Sequence, residues 1–115
     1  YEEMLTMGAA AGVEFPFVLQ VGDEGDPYHM YPFQNSFGAP VFEQADDGSY
    51  TSTLGMGGEN GHAFAQWLHD QGAAGNLDTS ISGEIAKQQF IDGNAPFIIS
   101  GPWLIQDLGD LLRAS

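Results

Sequence analysis

The sequence predicts an α/β fold, a short and mostly parallel sheet flanked by helices, and three observations carry that prediction. Phe97, Ile98 and Ile99 form an unbroken apolar run rather than an alternating one, as in a strand covered on both faces. Phe17-Val18-Leu19-Gln20-Val21 reads as a second strand. Each run leads into the same construction: a loop, a proline suited to the first position of a helix, and an aromatic residue. These are Pro27-Tyr28 after Phe17–Val21 and Pro102-Trp103 after Phe97–Ile99. Two strand ends therefore present one ring each, at the end of the sheet where open α/β folds place their ligands. A ring after a turn and a proline also reads as an anchor in the core, and both readings stand at this point.

With 115 residues the chain has the usual size of one domain, so a single compact unit is expected over 1–115. Sixteen acidic residues against two basic ones give a formal net charge of -14. Such a chain repels nucleic acid and anionic membrane surfaces, and a neutral or cationic ligand suits it better. Most of the acids read as a solvated face that aids solubility. The absence of cysteine removes disulfides, thiolate zinc sites and cysteine nucleophiles. No segment approaches the roughly 18 apolar residues of a membrane span. The opening Tyr1-Glu2-Glu3-Met4 lacks the basic start and apolar core of a signal segment, and a start without an initiator methionine is consistent with excision from a longer chain.

In chain order, Glu2 to Ala11 contains helix formers with acids in the first turn, and Gly12 is a stop. After the Phe17–Val21 strand, Asp26 caps a helix carrying Tyr28, Tyr31, Phe33 and Phe37, which Pro32 should bend or shorten. Val41 to Glu43 and Ser49 to Thr53 are β-prone runs joined through Asp46-Asp47-Gly48, a hairpin signal. Gly55, Gly57, Gly58 and Gly61 mark a loop whose spacing fits neither a phosphate-binding loop nor a dinucleotide fingerprint. Asn60 is read as the cap of a helix to about Gln71, with Ala63, Phe64, Trp67 and Leu68 on one face and Gly72 at its end. At that spacing Trp67 belongs to the core. Ser82 caps the next helix, with Glu84 in the first turn and Ile85, Ala86 and Phe90 buried. Asp92-Gly93-Asn94 closes it, because glycine and asparagine tolerate the left-handed conformation. After Trp103, Leu104, Ile105, Leu108, Leu111 and Leu112 recur at helical spacing, which Gly109 weakens. Two strands and a ribbon are too few for the sheet their apolar runs imply. The chain is therefore expected to be part of a larger domain whose other strands lie before Tyr1 or after Ser115.

No catalytic or metal constellation emerges, and no cofactor is expected. His29, His62 and His69 do not stand in a His-Glu-x-x-His spacing. His62 and His69 lie two turns apart on one helix, which solvent exposure explains. Asp23, Glu24 and Asp26 do not follow the calcium-loop pattern, and Ser82 and Ser100 lack a nucleophile-elbow sequence. Glycoside hydrolysis needs two facing carboxylates, and nothing pairs them here. Asp26 is the best single candidate for a ligand contact because it adjoins Tyr28, although a capping carboxylate is already engaged with backbone donors.

The stretch Phe90-Ile-Asp-Gly-Asn-Ala-Pro-Phe-Ile-Ile-Ser-Gly-Pro-Trp103 resembles the segment of maltose and oligosaccharide-binding proteins of ABC transporters in which a Gly-Pro-Trp turn offers its indole to the sugar. Asp26-Pro27-Tyr28-His29-Met30-Tyr31-Pro32 is similar to that family's acid-Pro-Tyr segment, and Tyr1-Glu2-Glu3 to its helix start. Order and spacing agree over nearly the whole chain. The resemblance implies the middle part of the C-terminal lobe of a type II periplasmic binding protein, with no enzymatic activity. It implies that Trp103 and Tyr28 stack on glucose rings and that Asp26 accepts from a hydroxyl. Asp26 stands where the family's pattern has glutamate, one methylene longer. It further implies a maltose or maltodextrin ligand, an ABC permease as partner, and an extracytoplasmic location, periplasmic or at the cell surface with an optional lipid anchor. A carbohydrate-active enzyme domain and a protein-interaction module are the competing classes. The sugar reading requires that neither ring be buried and that both lie on the same side.

Overall fold

In the computed structural model, residues 1–114 are described. Among them seven helices and strands follow one another, with a 3₁₀ turn at Gly55–Gly57 ahead of the third helix. They are α1 (Glu2–Ala10), α2 (Pro27–Ser36), β1 (Phe42–Gln44), β2 (Tyr50–Leu54), α3 (Glu59–Ala73), α4 (Gly83–Ile91) and α5 (Leu104–Ala114). The chain forms two compact units, one of residues 1–29 and 78–115, the other of residues 30–77.

The first unit holds both aromatic turns. Its core is Val18, Ile81, Ala86 and Ala95, with Phe15 and Ile98 packed against them. The two apolar runs lie side by side in parallel, as their composition implied, but they meet in a single bridge, Val18 with Ile98, instead of a ladder. Val18 N–H donates to Phe97 O at 3.0 Å and Phe15 N–H to Asn94 O at 3.0 Å. The mostly parallel sheet is thus corrected to a parallel contact, and the one sheet among the described residues is two-stranded and antiparallel. The reason is numerical: parallel strands gain stability from neighbours and helices on both faces. Here Val18 and Leu19 are buried, whereas Phe97, Ile98 and Ile99 are only half-buried.

Helix ends in this unit follow their residue chemistry. Gly12 stands just past α1 with φ +70°, and Gly93 just past α4 with φ +78°. Asn94 N–H reaches back to Gln89 O at 3.0 Å, and Ser82 Oγ accepts from Ile85 N–H at 3.3 Å. The buried side of α4 is narrower than its pattern suggests, since Ala86 is 1% exposed but Ile85 is 41% exposed. Helix α5 begins at Leu104, so Trp103 sits in the turn just before it and not in its first turn. The Leu104 and Ile105 N–H groups donate to the carbonyls of Gly101 and Pro102, a tight turn that brings the indole back over Gly101. The side chain of Leu112 lies outside the described residues. At the other end Tyr1 packs edge-on against Phe17, centroids 5.2 Å apart, and Phe17 stacks with Phe97. Burial, helped by the charge of Glu2, pushes the Tyr1 phenol up to about 12.

The second unit is built on rings. Phe33 stacks on Trp67 at 5.0 Å, and Phe64 and Phe37 complete the cluster, so Trp67 packs against other rings as its spacing implied, though it is half-buried where Phe64 is buried. Gln34, 6% exposed, satisfies its amide by donating to Ala39 O at 2.7 Å. Helix α2 continues through Pro32, which removes one ladder bond without ending the element. The hairpin forms with Gly48 at φ +84°, pairing Phe42 with Leu54 and Gln44 with Tyr50 across an irregular register. Helix α3 starts two residues earlier than expected. Gly58 is its N-cap, and Asn60 instead donates its side-chain amide to Gly38 O at 3.0 Å. Ala63, expected on the buried face, is exposed, as are His62 and His69.

Candidate functional site

The site is assembled where the two turn-proline-aromatic elements meet, within the first unit. The Tyr28 and Trp103 rings are 6.0 Å apart between centroids and inclined by 44°. Neither is buried, Tyr28 being 70% and Trp103 52% exposed. Local backbone explains both positions. Asp26 Oδ1 accepts the His29 N–H at 2.9 Å, a side-chain cap that fixes the first turn of α2 and hence the direction of Tyr28. On the other turn, Gly101 lies directly under the indole. A Cβ there would be only 2.6 Å from Trp103 Cε3 and closer still to Cζ3 and Cη2, so only glycine lets the ring sit down on the backbone.

Sequence reasoning did not anticipate that His29 joins the group. Its imidazole Nδ1 lies 2.9 Å from Asp26 Oδ2, which also accepts from the Gln20 side-chain amide. The ring packs against both aromatics, the three centroids forming a triangle, 5.3 Å from Tyr28 and 6.0 Å from Trp103, and it stands nearly perpendicular to the latter at 86°. Its spacing from Asp26 held the clue: a residue three after a capping aspartate has its side chain within reach of that carboxylate. Gln20 gave no comparable signal, because it reaches Asp26 through the fold and not through local sequence.

Asp26 is therefore a hub. Burial works against its ionisation, but hydrogen bonds from the His29 amide, the His29 ring and Gln20 together outweigh burial and hold the carboxyl below its ordinary value of 3.8. A folded-state value below the unfolded one means that this group's contribution is present above the unfolded pKa and is lost as pH falls through the folded one. Acid titration of folding should therefore show a loss of stability below about pH 4 that Asp26→Asn reduces. Identical acid limbs in the two proteins, followed by circular dichroism, would show that the cluster does not matter to folding.

Beside Trp103 and His29 lies a cavity of about 360 Å³ whose lining also includes Gln20, Ser100, Glu84, Lys87 and Asp107. Lys87 bridges Glu84 at 2.9 Å and Asp107 at 3.5 Å, tying α4 to α5 across the cavity wall. A larger cavity of about 540 Å³ lies in the second unit by the hairpin, but no aromatic ring lines it. Apolar ring faces beside a few fixed polar groups are the ordinary make-up of a small-molecule site, and this favours the smaller cavity. Among the described residues no helix is long and apolar enough to cross a membrane.

This helix-rich α/β chain, with ring-bearing turns at the ends of two parallel segments, has the fold of a fragment of a solute-binding protein. Among the solved structures it matches is the Thermus thermophilus maltotriose binding protein bound with maltotriose. The TM-score is 0.77 and the sequence identity 30%, over 96% of this chain. The chain spans 30% of the length of that relative. No protein-family model matches the sequence, and no curated protein matches it.

Proposed function

We propose that this chain is the middle part of the C-terminal lobe of an extracytoplasmic, non-catalytic sugar receptor that delivers malto-oligosaccharide to an ABC permease. The observation that carries the reading is the exposed Tyr28–Trp103 pair, 6.0 Å apart beside a hydrogen-bonded carboxylate. A pyranose has faces of C–H groups and a rim of hydroxyls. Aromatic faces cover the first, and fixed polar groups satisfy the second. Trp103 and Tyr28 serve as platforms. Asp26 contributes through Oδ1, which accepts one bond from the His29 amide, whereas Oδ2 already accepts two. Resemblance to a maltotriose binding protein supports the choice of sugar. The ligand would be held between this lobe and a second one, and sugar that binds the closed arrangement better than the open one favours closure.

The test is titration calorimetry with maltose and maltotriose on the full-length protein, with the sugar recovered afterwards. Binding with the sugar intact is the expected result, and the 115-residue chain alone should bind weakly or undetectably because it supplies half a cleft. Release of shorter sugars would make the protein an enzyme. Silence toward sugars together with stable capture of a protein partner would make it an interaction module.

A further inference from the structure

Among the described residues, His29 Nε2 is a buried side-chain atom that no protein group hydrogen-bonds. The His29 side chain is 9% exposed, and its other ring nitrogen is held by Asp26. Folds seldom leave a buried polar atom unmatched, because its lost hydration is not replaced, and each case calls for an explanation. The chemistry of this one is defined by its neighbour. Asp26, held in its ionised form, can only accept, so Nδ1 carries the hydrogen between them. In the neutral imidazole Nε2 is then a bare acceptor, kept in one orientation by the carboxylate, just as a metal-bound histidine is oriented by the partner on its far nitrogen. The ring lines the 360 Å³ cavity and touches both proposed stacking platforms.

We propose that His29 is a specificity-determining residue of the saccharide site, whose Nε2 accepts a hydrogen bond from one hydroxyl of the ligand. The inference rests on the saccharide reading above. It gives the Asp26–His29 bond a role beyond folding, as a positioning contact for the imidazole. It also defines the discrimination: the ligand hydroxyl supplies the hydrogen bond this buried acceptor otherwise lacks, and an analogue without that hydroxyl forfeits it. Nε2 is closed off from water as the structure stands, so contact requires a neighbouring side chain to turn aside on binding.

The experiment measures maltotriose and its monodeoxy derivatives against full-length wild type, His29→Phe and Trp103→Ala by calorimetry. Phenylalanine keeps an aromatic ring of similar size and removes the nitrogen. Maltotriose should bind His29→Phe about tenfold more weakly. One monodeoxy sugar should lose about tenfold on wild type and nothing further on His29→Phe. Additive losses for every deoxy position, with Trp103→Ala still disrupting binding, overturn the role of His29 and leave the saccharide reading intact. No maltotriose binding by wild type overturns both. Should His29→Phe fail to fold, histidine nitrogen-15 spectra of wild type decide the matter. The Nε2 resonance should move toward the hydrogen-bonded position as maltotriose saturates the site, and an unmoved resonance refutes the proposal.

Discussion

Trp103→Ala in the full-length protein is expected to weaken malto-oligosaccharide binding by about 30-fold or more, the loss typical of removing a buried aromatic anchor at a recognition site. Stability should change little, because the indole is 52% exposed before any ligand arrives and its loss leaves no closed cavity. The ring is held from beneath by Gly101, and this supplies an independent way to move it without deleting it. An alanine Cβ at position 101 overlaps the far edge of the indole, a side chain free to swing, and not a backbone atom. Gly101→Ala should therefore keep the fold and lose affinity by displacing the platform, following Trp103→Ala in direction. Calorimetry on both variants, with thermal melts as the folding control, separates the possibilities. Wild-type affinity in Trp103→Ala would end the stacking role for this residue.

Local chemistry made much of this molecule legible. Asp26, Pro27, Ser82, Gly12 and Gly93 mark helix ends through their own backbone or capping preferences, and the structure uses each of them in that way. The two ring positions were legible for the same reason, since Pro27 and Pro102 set the turns that present Tyr28 and Trp103. What local pattern cannot supply is partnership. Ile85 follows a helical period that places it inside, yet it is exposed, because period tells which residues share a face and not how wide the neighbour covering that face is. The apolar run Phe97–Ile98–Ile99 announces a covered strand, but a ladder needs strands on either side, and one bridge to Val18 is what forms. Asn60 reads as a cap, yet Gly58 takes that place and the asparagine bonds a loop carbonyl 22 positions away in sequence. The Gln20–Asp26 bond escapes notice on the same ground. The Asp26–His29 pair was within reach of sequence reasoning, and treating histidine only as a metal or catalytic residue obscured it.

The largest expected effect on folding comes from two glycines on one helix. Gly61 and Gly72 both lie in α3, and propensity alone predicts that alanine stabilises the helix at either position, by roughly 0.5–1 kcal/mol. Their surroundings differ. A Cβ at Gly72 meets nothing within 4 Å, whereas one at Gly61 would overlap the Met56 carbonyl and lie 2.9 Å from Met56 Cα. That obstruction is backbone, in the 3₁₀ turn Gly55–Gly57 that leads into the helix, so no side chain can turn away to relieve it. Buried Gly61 is thus the point at which α3 closes on the preceding turn. Overpacking of this kind costs about 3 kcal/mol or more when the backbone itself must shift. Gly61→Ala should accordingly lower the denaturant midpoint of the full-length protein markedly, while Gly72→Ala raises it slightly. Two parallel shifts would mean that helix propensity governs both positions and that the close approach of Met56 to α3 is not a constraint on the fold.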